Sequence, residues 1–148
     1  MDIESEIYKR TTANFDKLNN YGFKEKENEY IYEKKFFNNE FKAVITIDLK
    51  GKVIGKIIDL ETSEEYTNIR TEQVGVFVSR VREEYKKILI DIRRECFETD
   101  PFISKQANNI TRFIKNKYND EPEFLWEKTP GCGVFRNKTN NKWYIKST

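Results

Sequence analysis

Between residues 74 and 96 the apolar side chains Val74, Phe77, Val78, Val81, Tyr85, Ile88, Leu89, Ile92 and Cys96 recur at helical spacing. That run is about six turns at ~3.6 residues per turn. The opposite face carries Arg80, Arg82, Glu83, Glu84, Lys86, Lys87, Arg93 and Arg94. A helix with one apolar stripe must bury it against another element, and the partner lies just upstream. Phe41, Ala43, Ile45 and Ile47 alternate with Lys42, Val44, Thr46 and Asp48, the period of a strand with one buried face. Residues 29–35 are rich in Tyr and Ile, residues 52–59 form a third run, and Asn38-Asn39 and Leu49-Lys50-Gly51 supply the turns. The pattern predicts an antiparallel three-stranded meander under a long helix, in the α+β class. Glu65-Tyr66-Thr67 is expected to add a short fourth strand.

Flanking elements follow from the same rules. Ile3, Ile7, Phe15 and Leu18 share a helical face, which predicts one N-terminal helix stopped by Asn19-Asn20-Tyr21-Gly22. Asp100-Pro101 marks a break, because Asp caps helices and Pro suits their first turn. A third helix follows with Ile103, Ala107, Ile110, Ile114 and Tyr118 inward, ending at Asn119-Asp120. Residues 121–128 come next, then a Pro130-Gly131-Cys132-Gly133 turn. Two short strands at 134–137 and 142–145 close a hairpin through the polar turn 138–141. The division expected is an N-terminal α+β domain over 1–98 and a second domain over 99–148.

Charge narrows the function classes. Residues 1–98 carry 18 basic and 20 acidic side chains, while residues 99–148 carry 9 basic and 5 acidic, so a net −2 gives way to a net +4. Beyond Glu127 there is no acid, yet Lys128, Arg136, Lys138, Lys142 and Lys146 all lie there. A one-signed local field favours an anionic partner, and an ordinary solvated face is the other reading. The chain has no histidine. That removes histidine-activated Ser and Cys nucleophiles and imidazole metal ligands.

The remaining chemistry is sparse. Cys96 and Cys132 are too few for a disulfide framework and lack metal-ligand spacing. Cys132 lies between two glycines with Lys128 and Arg136 nearby, but it has no base partner and reads as a small turn residue. Asp59-Glu61 and Glu64-Glu65 lack the convergent oxygens of a hard-cation site. Gly51 and Gly55-Lys56 match a phosphate loop in composition only, since they sit in a hairpin. No catalytic residue, metal site or cofactor is assigned, and the chain reads as a non-enzyme. With no apolar run near ~20 residues and an acidic rather than basic start, a cytoplasmic protein with reduced thiols is expected.

Two stretches carry a family signal. Ile114-Lys-Asn-Lys-Tyr118, Glu121-Pro-Glu-Phe-Leu-Trp-Glu-Lys128, Val134-Phe-Arg136 and Asn141-Lys-Trp-Tyr144 closely resemble the start of the MmcQ/YjbR family of small bacterial proteins. Gly55-Lys-Ile-Ile-Asp-Leu-Glu-Thr-Ser-Glu-Glu-Tyr66 and Phe77-Val-Ser-Arg-Val-Arg-Glu-Glu-Tyr85 resemble the extra N-terminal domain of some members. The resemblance implies a frataxin-like α+β fold and DNA binding. The part of this chain that matches the family domain spans roughly residues 103–148, about that domain's first half, so a truncated family domain of helix and hairpin is expected.

On that reading the nucleic-acid-binding residues are Lys128, Arg136, Lys138, Lys142, Trp143, Tyr144 and Lys146, with lysines on phosphates and a ring of Phe135, Trp143 or Tyr144 on a base. Trp143 and Tyr144 fall on opposite strand faces, so at most one is expected inward. Iron handling, the other frataxin-like function, is disfavoured because the third helix exposes Lys105, Arg112, Lys115 and Lys117 instead of an acidic ridge. The alternative function is a protein-interaction or regulatory domain that recruits another protein, or a second copy of itself, through an exposed sheet edge. A membrane partner is not expected.

Overall fold

The structure, a computed structural model, describes residues 2–72, 74–118, 120–129 and 132–147. Pro130 and Gly131 of the expected turn, and Asn119 at the expected helix end, lie outside the described residues. The fold is α+β and divides into two compact units. One comprises Met1–Ser5 and Ala13–Glu98; the other comprises Glu6–Thr12 and Thr99–Thr148.

The single N-terminal helix expected from Ile3, Ile7, Phe15 and Leu18 is instead two. These are α1 (Ile3–Ile7) and α2 (Phe15–Tyr21), with the strand β1 (Thr11–Ala13) between them. Thr11 and Thr12 are β-branched and disfavour a continuous helix, and Asn14 starts α2 afresh by accepting a hydrogen bond from Lys17 N on its side chain. The N–H of Gly22 donates to Leu18 O and closes α2.

The first unit is built on a five-stranded antiparallel sheet in the order β2-β3-β4-β5-β6. Its strands are β2 (Lys24–Lys26), β3 (Glu29–Phe36), β4 (Phe41–Asp48), β5 (Val53–Asp59) and β6 (Glu64–Glu65). The three central strands are the expected meander, and short strands flank it on both sides. Along β4 the buried residues Phe41, Ala43, Ile45 and Ile47 alternate with half-buried ones. Complete burial of Ile45, Ile47 and Ile57 stabilises by about 1.5–3 kcal/mol each. Asp48 fixes the β4–β5 turn by accepting hydrogen bonds from Lys50 N and Lys52 N, both at 2.9 Å.

The long helix α3 (Val76–Cys96) buries Val78, Val81, Tyr85, Ile88, Leu89, Ile92 and Cys96. Two members of the expected stripe depart from it. Val74 precedes the helix and is 88% exposed, and Phe77 is half-exposed. Arg93, expected on the polar face, is buried. Phe77 lies over the end of the sheet, within 5.3 Å of the Phe37 ring and 6.1 Å of the Phe41 ring, centroid to centroid. The Arg80 guanidinium lies over the Phe37 ring itself, 5.5 Å from its centroid. This packing holds Phe37 at φ 55, a backbone region that a bulky residue rarely adopts.

A buried carboxylate lies between helix and sheet. Arg70, from the 3-10 turn Asn68–Arg70, donates to both oxygens of Glu4 at 2.9 and 2.7 Å and to Gly55 O at 2.8 Å. The Tyr85 hydroxyl donates to Glu4 Oε1 at 2.6 Å. Gly55 makes this possible, since a Cβ there would stand 1.9 Å from the Tyr85 hydroxyl and 3.1 Å from Glu4 Oε1. Arg82 secures the same turn by donating to Ile69 O and Thr71 O.

In the second unit the helix α4 (Pro101–Tyr118) follows the short strand β7 (Phe97–Thr99). Asp100 accepts from Phe102 N at 2.9 Å, the cap its position implies. Ile103, Ala107, Ile110 and Ile114 are buried, but Tyr118, expected inward, is 53% exposed. It is the last residue of α4, where the apolar stripe has run past the sheet beneath it. The expected hairpin is a three-stranded antiparallel sheet, β10-β9-β8, of β8 (Pro122–Thr129), β9 (Cys132–Asn137) and β10 (Trp143–Ser147). Residues 121–128 pair rather than lead in, and Cys132 and Gly133 begin β9 rather than completing a turn. No helix among the described residues is long and apolar enough to cross a membrane.

Two measurements probe the first unit. Gly55→Ala is expected to lower stability by about 2–3 kcal/mol in urea unfolding, through overpacking against Tyr85. Combined with Tyr85→Phe its cost should be less than additive, because the crowding hydroxyl is gone. Burial and the adjacent Glu4 carboxylate hold the Tyr85 hydroxyl well above the ordinary tyrosine range, and burial pushes the Cys96 thiol up to about 11. The folded chain therefore keeps protons that the unfolded chain releases near pH 9 to 10, so stability is full below that window and falls as pH rises through it. The melting temperature should drop progressively above about pH 9, with a shallower fall in Tyr85→Phe.

Candidate nucleic-acid interface

Strand register sorts the C-terminal side chains. Tyr144 pairs with Phe135, and Phe135 with Phe124, so these three rings share one face of the sheet. Ile110 and Ile114 of α4 pack on that face around Phe135, which is fully buried. Phe135 stacks on Tyr144 at 5.8 Å and meets Phe124 edge-on at 5.6 Å. Gly133 belongs to the same face, and a Cβ there would crowd the rings of Phe135 and Phe124 at 3.0–3.3 Å.

The opposite face holds Arg136, Trp143 and Trp126. Trp143 pairs with Arg136, and its ring meets that of Trp126 at 5.8 Å, nearly perpendicular. A register shift between Phe124 and Trp126 carries Trp126 to this side. Trp143 and Tyr144 lie on opposite faces, Tyr144 on the one that α4 packs and Trp143 beside Trp126 on the other, and both are half-buried. Each face of this small sheet has its own ring contacts, so neither ring is left free.

The expected phosphate-binding residues separate into three groups. Arg136 donates to Glu123 at 2.7 Å, with both side chains about four-fifths buried, and is engaged within the fold. Lys128 is exposed near the end of β8, where its carbonyl accepts from Lys9 Nζ at 3.0 Å and the adjacent Glu127 pairs with Arg10 at 3.6 Å. Lys138, in the β9–β10 turn, is exposed at the opposite end of the sheet. Lys142, Trp143, Tyr144 and Lys146 come together along a groove of about 500 Å³. The groove follows β10, the edge strand, and so collects side chains from both faces.

Ile114, Tyr118, Asp120, Asn137, Asn140 and Ile145 complete its lining. Tyr118 and its neighbour Lys117 have no counterpart in the expected set. Lys117 Nζ lies 5.3 Å from the Tyr118 centroid and 5.5 Å from that of Phe113. Lys146 Nζ approaches the same Phe113 ring at 5.9 Å. The i,i+4 spacing of Phe113 and Lys117 was the available signal for this pairing. Asp120 is the carboxylate of the lining, and burial together with Asp120 raises the Tyr144 hydroxyl above its ordinary range. Glu121, next in sequence, pairs with Lys115 at 3.7 Å.

The chain shares a local likeness with a known protein. A stretch of 36 residues is 39% identical to the Bacillus subtilis (strain 168) protein named Uncharacterized protein YyaQ. The likeness spans 24% of this chain and 30% of YyaQ, less than a third of either. No family model matches the chain, and no solved structure matches it. The name YyaQ carries no activity.

Elsewhere the described residues hold no group of three or more Asp, Glu or Cys arranged for a metal ion. Asp59 of the acidic loop accepts from Glu61 N at 2.9 Å and shapes a turn. Cys132 is a half-buried free thiol. The division of roles among the cations is measurable. Arg136→Ala strands the Glu123 carboxylate and should lower stability by about 1–2 kcal/mol in urea unfolding. Lys138→Ala should change it by less than about 0.5 kcal/mol.

Proposed function

We propose that this chain is a non-enzymatic nucleic-acid-binding protein of the MmcQ/YjbR type, with the β10 groove of its second unit as the contact surface. The observation that carries the reading is the placing of Lys142, just before β10, and Lys146, on it, in one groove, with Lys117 from α4 meeting Lys146 at the exposed Phe113 ring. Among the described residues no ion pair occupies any of the three. Lys142 and Lys146 line the groove and Lys117 lies beside it, and ammonium groups so placed suit a polyanion, whose counterions they release on binding. The absence of histidine supports a binding rather than a catalytic role.

Titration of labelled DNA by fluorescence anisotropy tests this reading. Between about 50 and 200 mM salt, affinity should fall on the order of 10- to 100-fold, as two to four phosphate contacts require. Lys142→Gln with Lys146→Gln should weaken binding and flatten the salt dependence. Binding that ignores salt, or none at low salt, would exclude the proposal.

The edge position of β10 favours a second reading, recruitment of a protein strand by backbone pairing. For pairing between copies of this chain, light scattering should show mass rising with concentration. A constant monomer counts against it.

A further inference from the structure

We infer that the β10 groove takes single-stranded rather than duplex nucleic acid, with bases resting on Phe113 and Tyr118 and phosphates held by Lys117, Lys142 and Lys146. The inference rests on the nucleic-acid reading above and names the substrate class of that site.

The first argument is the exposure of the rings. Phe113 is 50% and Tyr118 53% exposed on a helix that already buries Ile103, Ala107, Ile110 and Ile114. Packing of α4 therefore needs neither ring. Tyr118 lines the groove and Phe113 adjoins it through Lys146, each with about half its surface in solvent beside a mobile lysine, and every base offers a π-face in return. In a duplex those faces are stacked on neighbouring bases, so rings lying beside a groove cannot reach them.

The second argument is charge. Lys117 and Lys146 come from different elements yet converge on one ring, Phe113, at 5.5 and 5.9 Å. Like charges brought together in this way repel, and the ring face offsets that repulsion only in part. Lys142 adds a third ammonium, against the single carboxylate Asp120 in the lining. Lys115 pairs with Glu121, so the next carboxylate along the chain is already matched. A strand with alternating bases and phosphates satisfies rings and ammonium groups together. A mere solubilising cover, in which lysine stems shield exposed rings, would leave the rings without effect on binding.

The test compares a labelled oligothymidylate of about 20 nucleotides with a labelled duplex of the same length at about 50 mM salt. The oligothymidylate should bind at least about tenfold more tightly. Phe113→Ala with Tyr118→Ala should lose roughly 10- to 100-fold of single-strand affinity and less than about twofold of duplex affinity. Lys117→Gln with Lys146→Gln should weaken both. Thermal unfolding checks each variant, and Phe113→Leu with Tyr118→Leu replaces the alanine pair if that pair unfolds, since it keeps apolar volume and removes the rings. Equal or tighter duplex binding, or full single-strand affinity in the ring variants, overturns this inference and leaves the nucleic-acid reading intact. No binding of either oligonucleotide overturns both.

Discussion

The carboxylate of Glu4 sits almost wholly out of water, and the arrangement of the first unit follows from what it takes to keep it there. Removing an ionised carboxylate from water is unfavourable unless a partner charge and further hydrogen bonds replace the lost hydration. Arg70 supplies a bidentate pair and Tyr85 a third hydrogen bond. Each donor comes from a different element, so one anion ties together α1, the 3-10 turn and α3. The second arm of Arg70 reaches Gly55 O and adds β5 to the set. Sheet, helix and N-terminal segment are thus held in register by a group that a purely apolar core would not contain.

Periodic elements were legible in the sequence because a buried face repeats along them. The alternation in β4 and the stripe from Val78 to Cys96 reflect the two surfaces that meet in the first unit. The Glu4 cluster has no such signature. Its partners lie 66 and 81 residues away, and nothing in a hydrophobic pattern marks which acid will be buried. The same limitation explains the first helix. Ile3, Ile7, Phe15 and Leu18 share a helical phase, but β1 intervenes and resets it. Phe77 was read as core because it is apolar and in phase, yet it caps the open end of the sheet beside Phe37.

At the groove, sequence composition identified the basic residues but not their distribution. Arg136 looks like its neighbours in the chain, and only the register that places it opposite Glu123 removes it from the available cations. Conversely, the ring and ammonium of Phe113 and Lys117 belong to a helix whose inward face dominates its pattern. Their exposure becomes meaningful once Lys146 is seen to arrive from β10. The amphipathic reading of α4 placed Tyr118 inward because it extended the stripe one step beyond the surface that covers it.

The second unit is discontinuous in sequence. Residues 6–12 belong with 99–148, and Lys9, Arg10 and Asp100 tie the two segments through Lys128 O, Glu127 and the Arg10 carbonyl. The first unit is interrupted in the same way by those seven residues. A gene rearrangement with a single breakpoint near residue 98 would therefore carry the first unit whole and leave the second without residues 6–12. The dependence is one-sided: residues 99–148 carried alone would have to replace the segment 6–12, whereas residues 1–98 already hold every part of the first unit.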